Sequence, residues 1–320
     1  MKKTVEKTIS GSILLLLALL LLTHSDSCIA LASQGLLLWY RNMIPSLFPF
    51  MVLSSLMIRT CLSLRLSCFI HKAAGWLLPF RKTSYFTILM GFLCGFPMGA
   101  KAVVMQLSQK QISLREGQSL LIFTNNIGPL YIFGYVFGLF PWISPFPFFF
   151  CLYGIPFLYG SLYYICKAYK DSPTEGSEKD TVSPLSFPEP EALGEAISPS
   201  LQTAISSITT LGGCMVFFQV LQILPQFVFS LLPSHMQPFL QAYLLPLISC
   251  LTEIGGGLKL LSQTEKLLWM IPGLLILGGG SCLLQTRLLL NDTKLSFKNY
   301  VYHKLLQAIL AFLAGWLLLR

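Results

Sequence analysis

The chain has 320 residues, of which 54% are hydrophobic, 13% aromatic and 11% charged. An ordinary soluble domain carries roughly 25% charged side chains, and 22 basic plus 13 acidic residues cannot clothe a water-facing surface of this size. That excludes a soluble enzyme, a disordered polymer and a nucleic-acid binder, and leaves an all-α polytopic membrane protein. The net charge of +9 argues for no nucleic-acid partner, because Lys and Arg between spans report orientation in the bilayer.

In chain order, Met1 to Lys7 is basic, Ile9 to Leu22 is apolar, and Ala30-Leu31-Ala32 could serve as a cleavage site. The apolar core ends well before that site and Gly35-Leu36-Leu37-Leu38-Trp39 continues it, so a retained N-terminal span over 1–34 is expected, with a removed signal peptide as the alternative. Ile44 to Ile58 is apolar and precedes a basic loop with Arg59, Arg65, Lys72, Arg81 and Lys82, expected on the cytoplasmic side. Tyr85–Leu107, Gln118–Phe140 and Ile143–Cys166 complete a first membrane half, 35–166.

The composition then turns to Ser, Pro, Glu, Asp and Lys, the profile of a polar acidic linker over 167–198. Apolar segments resume in a second membrane half, 199–320, at about Leu201–Leu224, Phe239–Leu251, Leu267–Leu284 and Val301–Leu319. Roughly eight to ten membrane segments result, several of them short or broken.

The two halves look related. Setting Met51-Val52 on Met215-Val216 places Ile44 on Ile208 and Leu47 on Leu211. Each such segment precedes a glycine-interrupted one, Gly91–Lys101 and Leu251–Leu260, and then a second interruption, Thr124–Pro129 and Leu277–Cys282. Paired interrupted segments in corresponding positions point to the binding site of a secondary transporter.

The first interruption contains Gly91, Gly95 and Gly99, a four-residue spacing that on a helix makes one smooth face for close packing. Pro97 breaks the helix there, and freed backbone groups at membrane depth need protein or water to satisfy them. Lys101 follows inside an apolar run, where it either marks a pathway or snorkels to the interface. Asn125 and Asn126, before Gly128-Pro129, offer uncharged donors and acceptors that suit a carboxylate, a hydroxyl or a cation; their bland alternative is an interhelical hydrogen bond.

Glu253 is the intramembrane acid of the second half and precedes Gly255-Gly256-Gly257. It fits ion or proton coupling, or a static pair with Lys101. Gln285 follows Gly278 to Gly280 and completes the candidate substrate-binding set with Gly95, Pro97, Gly99, Lys101, Asn125, Asn126, Gly128 and Glu253. Nine scattered cysteines and four dispersed histidines make no metal site, and no nucleotide-binding or hydrolase motif is present. No catalytic residue, cofactor or metal is expected; a coupling ion, Na+ or H+, stays open.

Gly95-Phe96-Pro97-Met98-Gly99-Ala100-Lys101 and Asn125-Asn126-Ile127-Gly128-Pro129 resemble paired stretches of the YlbJ-type sporulation integral membrane proteins, of the nucleoside-recognition or Gate domain group. Pro45-Ser46-Leu47-Phe48-Pro49-Phe50, the context of Glu253 and the Gly-Gly to Gln285 segment support the likeness; Gly279-Gly280-Ser281-Cys282-Leu283 departs from the family's pattern. The resemblance implies a Gate-type fold related to concentrative nucleoside transporters, in a bacterial cell or forespore membrane. It implies transport of a small anion, dipicolinate, during endospore formation. A nucleoside or other small-metabolite transporter and a non-transporting sporulation scaffold are the alternatives. The partners expected are that anion and the lipid bilayer, with a homo-oligomer left open.

Overall fold

The computed structural model describes residues 2–75, 80–108, 110–170 and 189–319; most of the expected linker, 171–188, lies outside the described residues. The described residues form helices and connecting turns without strands, and six helices are long and apolar enough to cross a membrane.

The helices Lys2–Thr23 and Ser25–Leu38 follow one another with a change of direction at His24. Leu17, Leu20, Cys28 and Leu31 from this region pack with Ile223 in a small cluster apart from the main core. The stretch expected as a basic loop is largely a helix, Leu62–Ala74, whose charged side faces out. Its buried Ser67 accepts from Phe86 N at 2.8 Å and donates to Thr83 O at 3.0 Å, so backbone polar groups of the next element fix it in place.

The order of elements repeats. A long helix, Ile44–Arg59 in the first half and Leu193–Leu221 in the second, precedes a pair of short helices, then a helix with an unwound middle, then a further long helix. The two long helices that open the halves pack along each other.

The segment expected as one apolar stretch from Tyr85 to Leu107 turns back on itself. Ser84–Leu93 and Met98–Ser108 are each about half the length a bilayer needs, and Gly95 sits between them at φ +80, a conformation that costs glycine nothing. Gly91 on one arm and Gly99 on the other both lie against the Thr124 carbonyl, where any β-carbon would collide. The three glycines therefore do serve close packing, on two antiparallel arms instead of one helix face. The second hairpin is tighter: Leu245–Thr252 and Ile254–Leu261 reverse at Glu253, and Gly257 lies against the backbone of Cys250.

The interruption at Asn125–Gly128 is an unwound stretch within the span Leu114–Leu139. Its counterpart is Gly278, at φ +73, between Ile271–Leu277 and Gly279–Leu290. Phe297–Leu318 closes the chain's described part and packs on the second broken helix.

Candidate functional site

Each hairpin tip rests on the broken helix of its own half. A β-carbon at Gly95 would strike the backbone of Gly128, and one at Gly128 would meet Cys94 O. In the second half Gly279 lies against Cys250 O, and Gly280 faces Thr252 O. The first tip also reaches across: the Phe96 ring packs on Gly278. These contacts bring all four interruptions to one small cavity of about 50 Å³.

Phe96 and Glu253 come to the cavity from the hairpin tips, Gly128 and Tyr131 from the first broken helix, and Ser281 and Gln285 from the second. Leu47 and Leu211, matched positions of the two halves, close it from the long helices. A ligand pocket for a drug-sized molecule spans about 300–1,000 Å³, so this cavity is far smaller than such a pocket.

Glu253 is 2% exposed and caps the helix Ile254–Leu261. Its Oε1 accepts from Gly255 N at 3.1 Å and its Oε2 from Gly256 N at 2.7 Å. The backbone here is extended, with φ −139 and ψ 117, which is how the residue breaks one helix and starts the next. Its carboxylate thus meets the positive end of a short helix. The static pair with Lys101, the alternative reading of Glu253, is not formed.

Lys101 points the other way. Its Nζ donates to Ser207 Oγ at 2.5 Å and to Thr203 O at 3.4 Å, pinning the first hairpin to Leu193–Leu221. Hydroxyl and carbonyl partners on a neighbouring helix satisfy the charge without a pathway, so Lys101 and the adjacent Gly99 stand outside the cavity lining.

Asn125 is consumed internally. Its Oδ1 accepts from Ala100 N at 3.3 Å, capping the second arm of the first hairpin, while its Nδ2 donates to Thr286 Oγ1 and Tyr300 OH, both at 3.0 Å. That is the interhelical use of asparagine, linking three elements across the two halves. Asn126 donates to Phe123 O at 2.6 Å and accepts from Lys304 Nζ at 2.8 Å.

Lys304 was not among the sequence candidates. It is fully buried in Phe297–Leu318, with its ammonium 5.5 Å from the Phe96 ring centroid and 5.9 Å from that of Tyr300. The signal was available: a lysine inside the apolar run Val301–Leu319 meets the criterion that singled out Lys101. Of the predicted set, Gly128, Glu253 and Gln285 line the cavity, Gly95 and Pro97 flank the lining residue Phe96 in sequence, and Asn126 accepts from Lys304, whose ammonium lies over the Phe96 ring.

The fold and cavity define a polytopic α-helical membrane protein with paired helical hairpins and paired broken helices. The chain is 26% identical to the sporulation integral membrane protein YlbJ of Bacillus subtilis (strain 168) over 345 aligned positions, covering 94% of this chain and 80% of that protein. No model of a known protein family matches the chain, and no solved structure matches it. The likeness runs through both halves and agrees with the resemblance of the motifs to the YlbJ-type sporulation integral membrane proteins.

Proposed function

We propose that the chain carries a small anionic metabolite across a membrane of a spore-forming cell, with dipicolinate as the expected cargo and a Gate-type architecture as its frame. One observation supports this above the others: all four helix interruptions, far apart in sequence, meet at one cavity. Unwound backbone at membrane depth is tolerated where it lines such a cavity, and discontinuous helices at a repeat interface are the usual seat of substrate and ion in secondary transporters. The resemblance to a sporulation membrane protein favours a cargo of spore formation.

The cavity is too small for an aromatic dianion as it stands, so cargo enters after the hairpin tips separate. Displacing Phe96 would open the cavity toward Lys304, whose ammonium then meets a carboxylate in place of the ring.

Purified protein in sealed vesicles should take up labelled dipicolinate, and Lys304→Met should reduce the rate by at least about tenfold, the scale of one lost charge-assisted bond. Vesicles with folded wild-type protein that take up no more than empty ones would remove dipicolinate as cargo. A neutral nucleoside is favoured by a different observation, the acceptor oxygens of Glu253 and Gln285 on the cavity wall, which suit ribose hydroxyls. Uptake of labelled uridine that Lys304→Met leaves intact would select it.

A further inference from the structure

We infer that a second pocket, between the span Ser25–Arg59 and the second hairpin, binds a phosphate-bearing anion at Arg41 and Lys259. Its volume is about 270 Å³, several times that of the cavity between the hairpin tips, and the two share no lining residue. Arg41 stands near the middle of the apolar span Ser25–Arg59, and Lys259 in the last turn of Ile254–Leu261. No acidic side chain lines the pocket, and neither cationic head has an ion pair or hydrogen bond among the described residues. Cations within membrane spans are costly and ordinarily face a partner or a pathway, so two of them at one pocket call for an anion.

The two halves differ at this place. Lys101 and Lys259 are each the sixth residue after the turn residue of their hairpin, Gly95 and Glu253. Lys101 is satisfied by the long helix of the other half, at Ser207 Oγ and Thr203 O. On the matching that sets Met51 on Met215, Ser207 falls on Met43 and Ile205 on Arg41. The position that supplies a hydroxyl to Lys101 is thus a methionine in the other half, and a second cation stands where its counterpart is an isoleucine. Like charges at one wall repel, so packing alone does not account for the exchange. Neutral donors complete the wall. Gln219 is 2% exposed, and its Oε1 accepts from Gln222 Nε2 at 3.1 Å, which leaves its own Nε2 as a donor without a partner among the described residues. Gln34 and Asn42 add further amides. These groups come from three elements, and a tetrahedral phosphate presents oxygens in as many directions, to a guanidinium fork and an ammonium that both suit it.

Two sources carry such a group, an anionic phospholipid headgroup, for which basic pockets between membrane helices are known seats, and free phosphate. Full-length protein in neutral detergent is titrated with radioactive inorganic phosphate and, separately, with short-chain phosphatidylglycerol. One molecule of either should bind per chain, and short-chain phosphatidylcholine should not compete. Arg41→Gln and Lys259→Gln should each weaken that binding by at least about tenfold, the scale of one lost charge-assisted bond. Both side chains are exposed, so neither variant threatens folding. Arg65→Gln, which removes an exposed cation outside the pocket, should leave binding unchanged. Saturation by phosphatidylglycerol with none by inorganic phosphate assigns the site to a lipid; saturation by inorganic phosphate assigns it to a free anion, and either result supports the site. Binding of neither by folded wild-type protein, competition by phosphatidylcholine, full binding by the two pocket variants, or equal weakening by Arg65→Gln would overturn it. Dipicolinate uptake is no part of the readout, so the site stands or falls apart from the proposed cargo.

Discussion

Two buried charges of opposite sign, Lys304 and Glu253, settle their desolvation separately at the residue scale. Glu253 uses backbone amides at a helix start, whereas Lys304 uses Asn126 Oδ1 and two aromatic faces. An ammonium over desolvated rings gains ~2 kcal/mol per contact at best, so the amide oxygen is the principal acceptor. Asn126→Leu should therefore destabilise the protein by about 3 kcal/mol or more, because it strands a buried charge. Adding Lys304→Met should recover much of that loss, since both partners are then apolar. Thermal unfolding of the four species in one detergent checks this as a cycle; strictly additive effects would mean that the Asn126–Lys304 bond carries no energy. Lys101→Met, which breaks a bond to Ser207 outside the cavity, should leave uptake close to wild type while lowering the unfolding temperature modestly.

At the scale of elements, the hairpins depend on glycines where backbone meets backbone. A side chain at Gly257 would collide with Cys250 N and Cα, so Gly257→Val should force the arms apart and cost several kcal/mol in overpacking. Gly213, in the interior of Leu193–Leu221, has nothing within 4 Å of an added β-carbon, and Gly213→Ala should be neutral or gain about 0.5–1 kcal/mol from helix propensity. Unfolding temperatures that fall equally in both variants would show that close approach is not what Gly257 provides. The positions of the interruptions were legible because Gly95, Pro97, Gly128, Pro129 and the run at 255–257 break helices by local chemistry. The reversal at Gly95 was not, since an apolar run reads the same whether it continues or folds back. What distinguishes the two is the Thr124 carbonyl, a tertiary contact. Likewise the side-chain amide of Asn125 was visible as a polar group at depth, but its partners Thr286 and Tyr300 come from the other half. Lys304 carried the same cue as Lys101; nothing local separates a lysine that clamps a neighbouring helix from one sealed behind a cavity wall.

At the scale of the whole molecule, the two halves hold each other through contacts spread along their length. Trp39 Nε1 donates to Ile208 O at 2.9 Å, with its indole on Gly212. Gln118 pairs with the Ser296 backbone in both directions, at 3.2 and 2.7 Å. Gln307 donates to Ile122 O at 3.0 Å, and Tyr135 OH to Gly255 O at 2.8 Å. Each half also supplies one hairpin tip and one broken helix to the cavity, so neither half contains a complete site. If these contacts fix the assembly, covalent continuity through 171–188 adds mainly effective concentration, which two chains in one membrane largely restore. Co-expressed fragments 1–170 and 189–320 should therefore co-purify from the membrane. Trp39→Ala combined with the split should weaken the complex further, because it removes both an interhelical bond and the ring that fills the space at Gly212. A scaffold whose polar segment recruits a partner would behave oppositely: the split complex would assemble and yet fail to support sporulation, while cavity substitutions such as Tyr131→Phe in the intact chain would leave sporulation unchanged. Fragments that each reach the membrane but do not co-purify would show that the halves need the connecting segment to find each other.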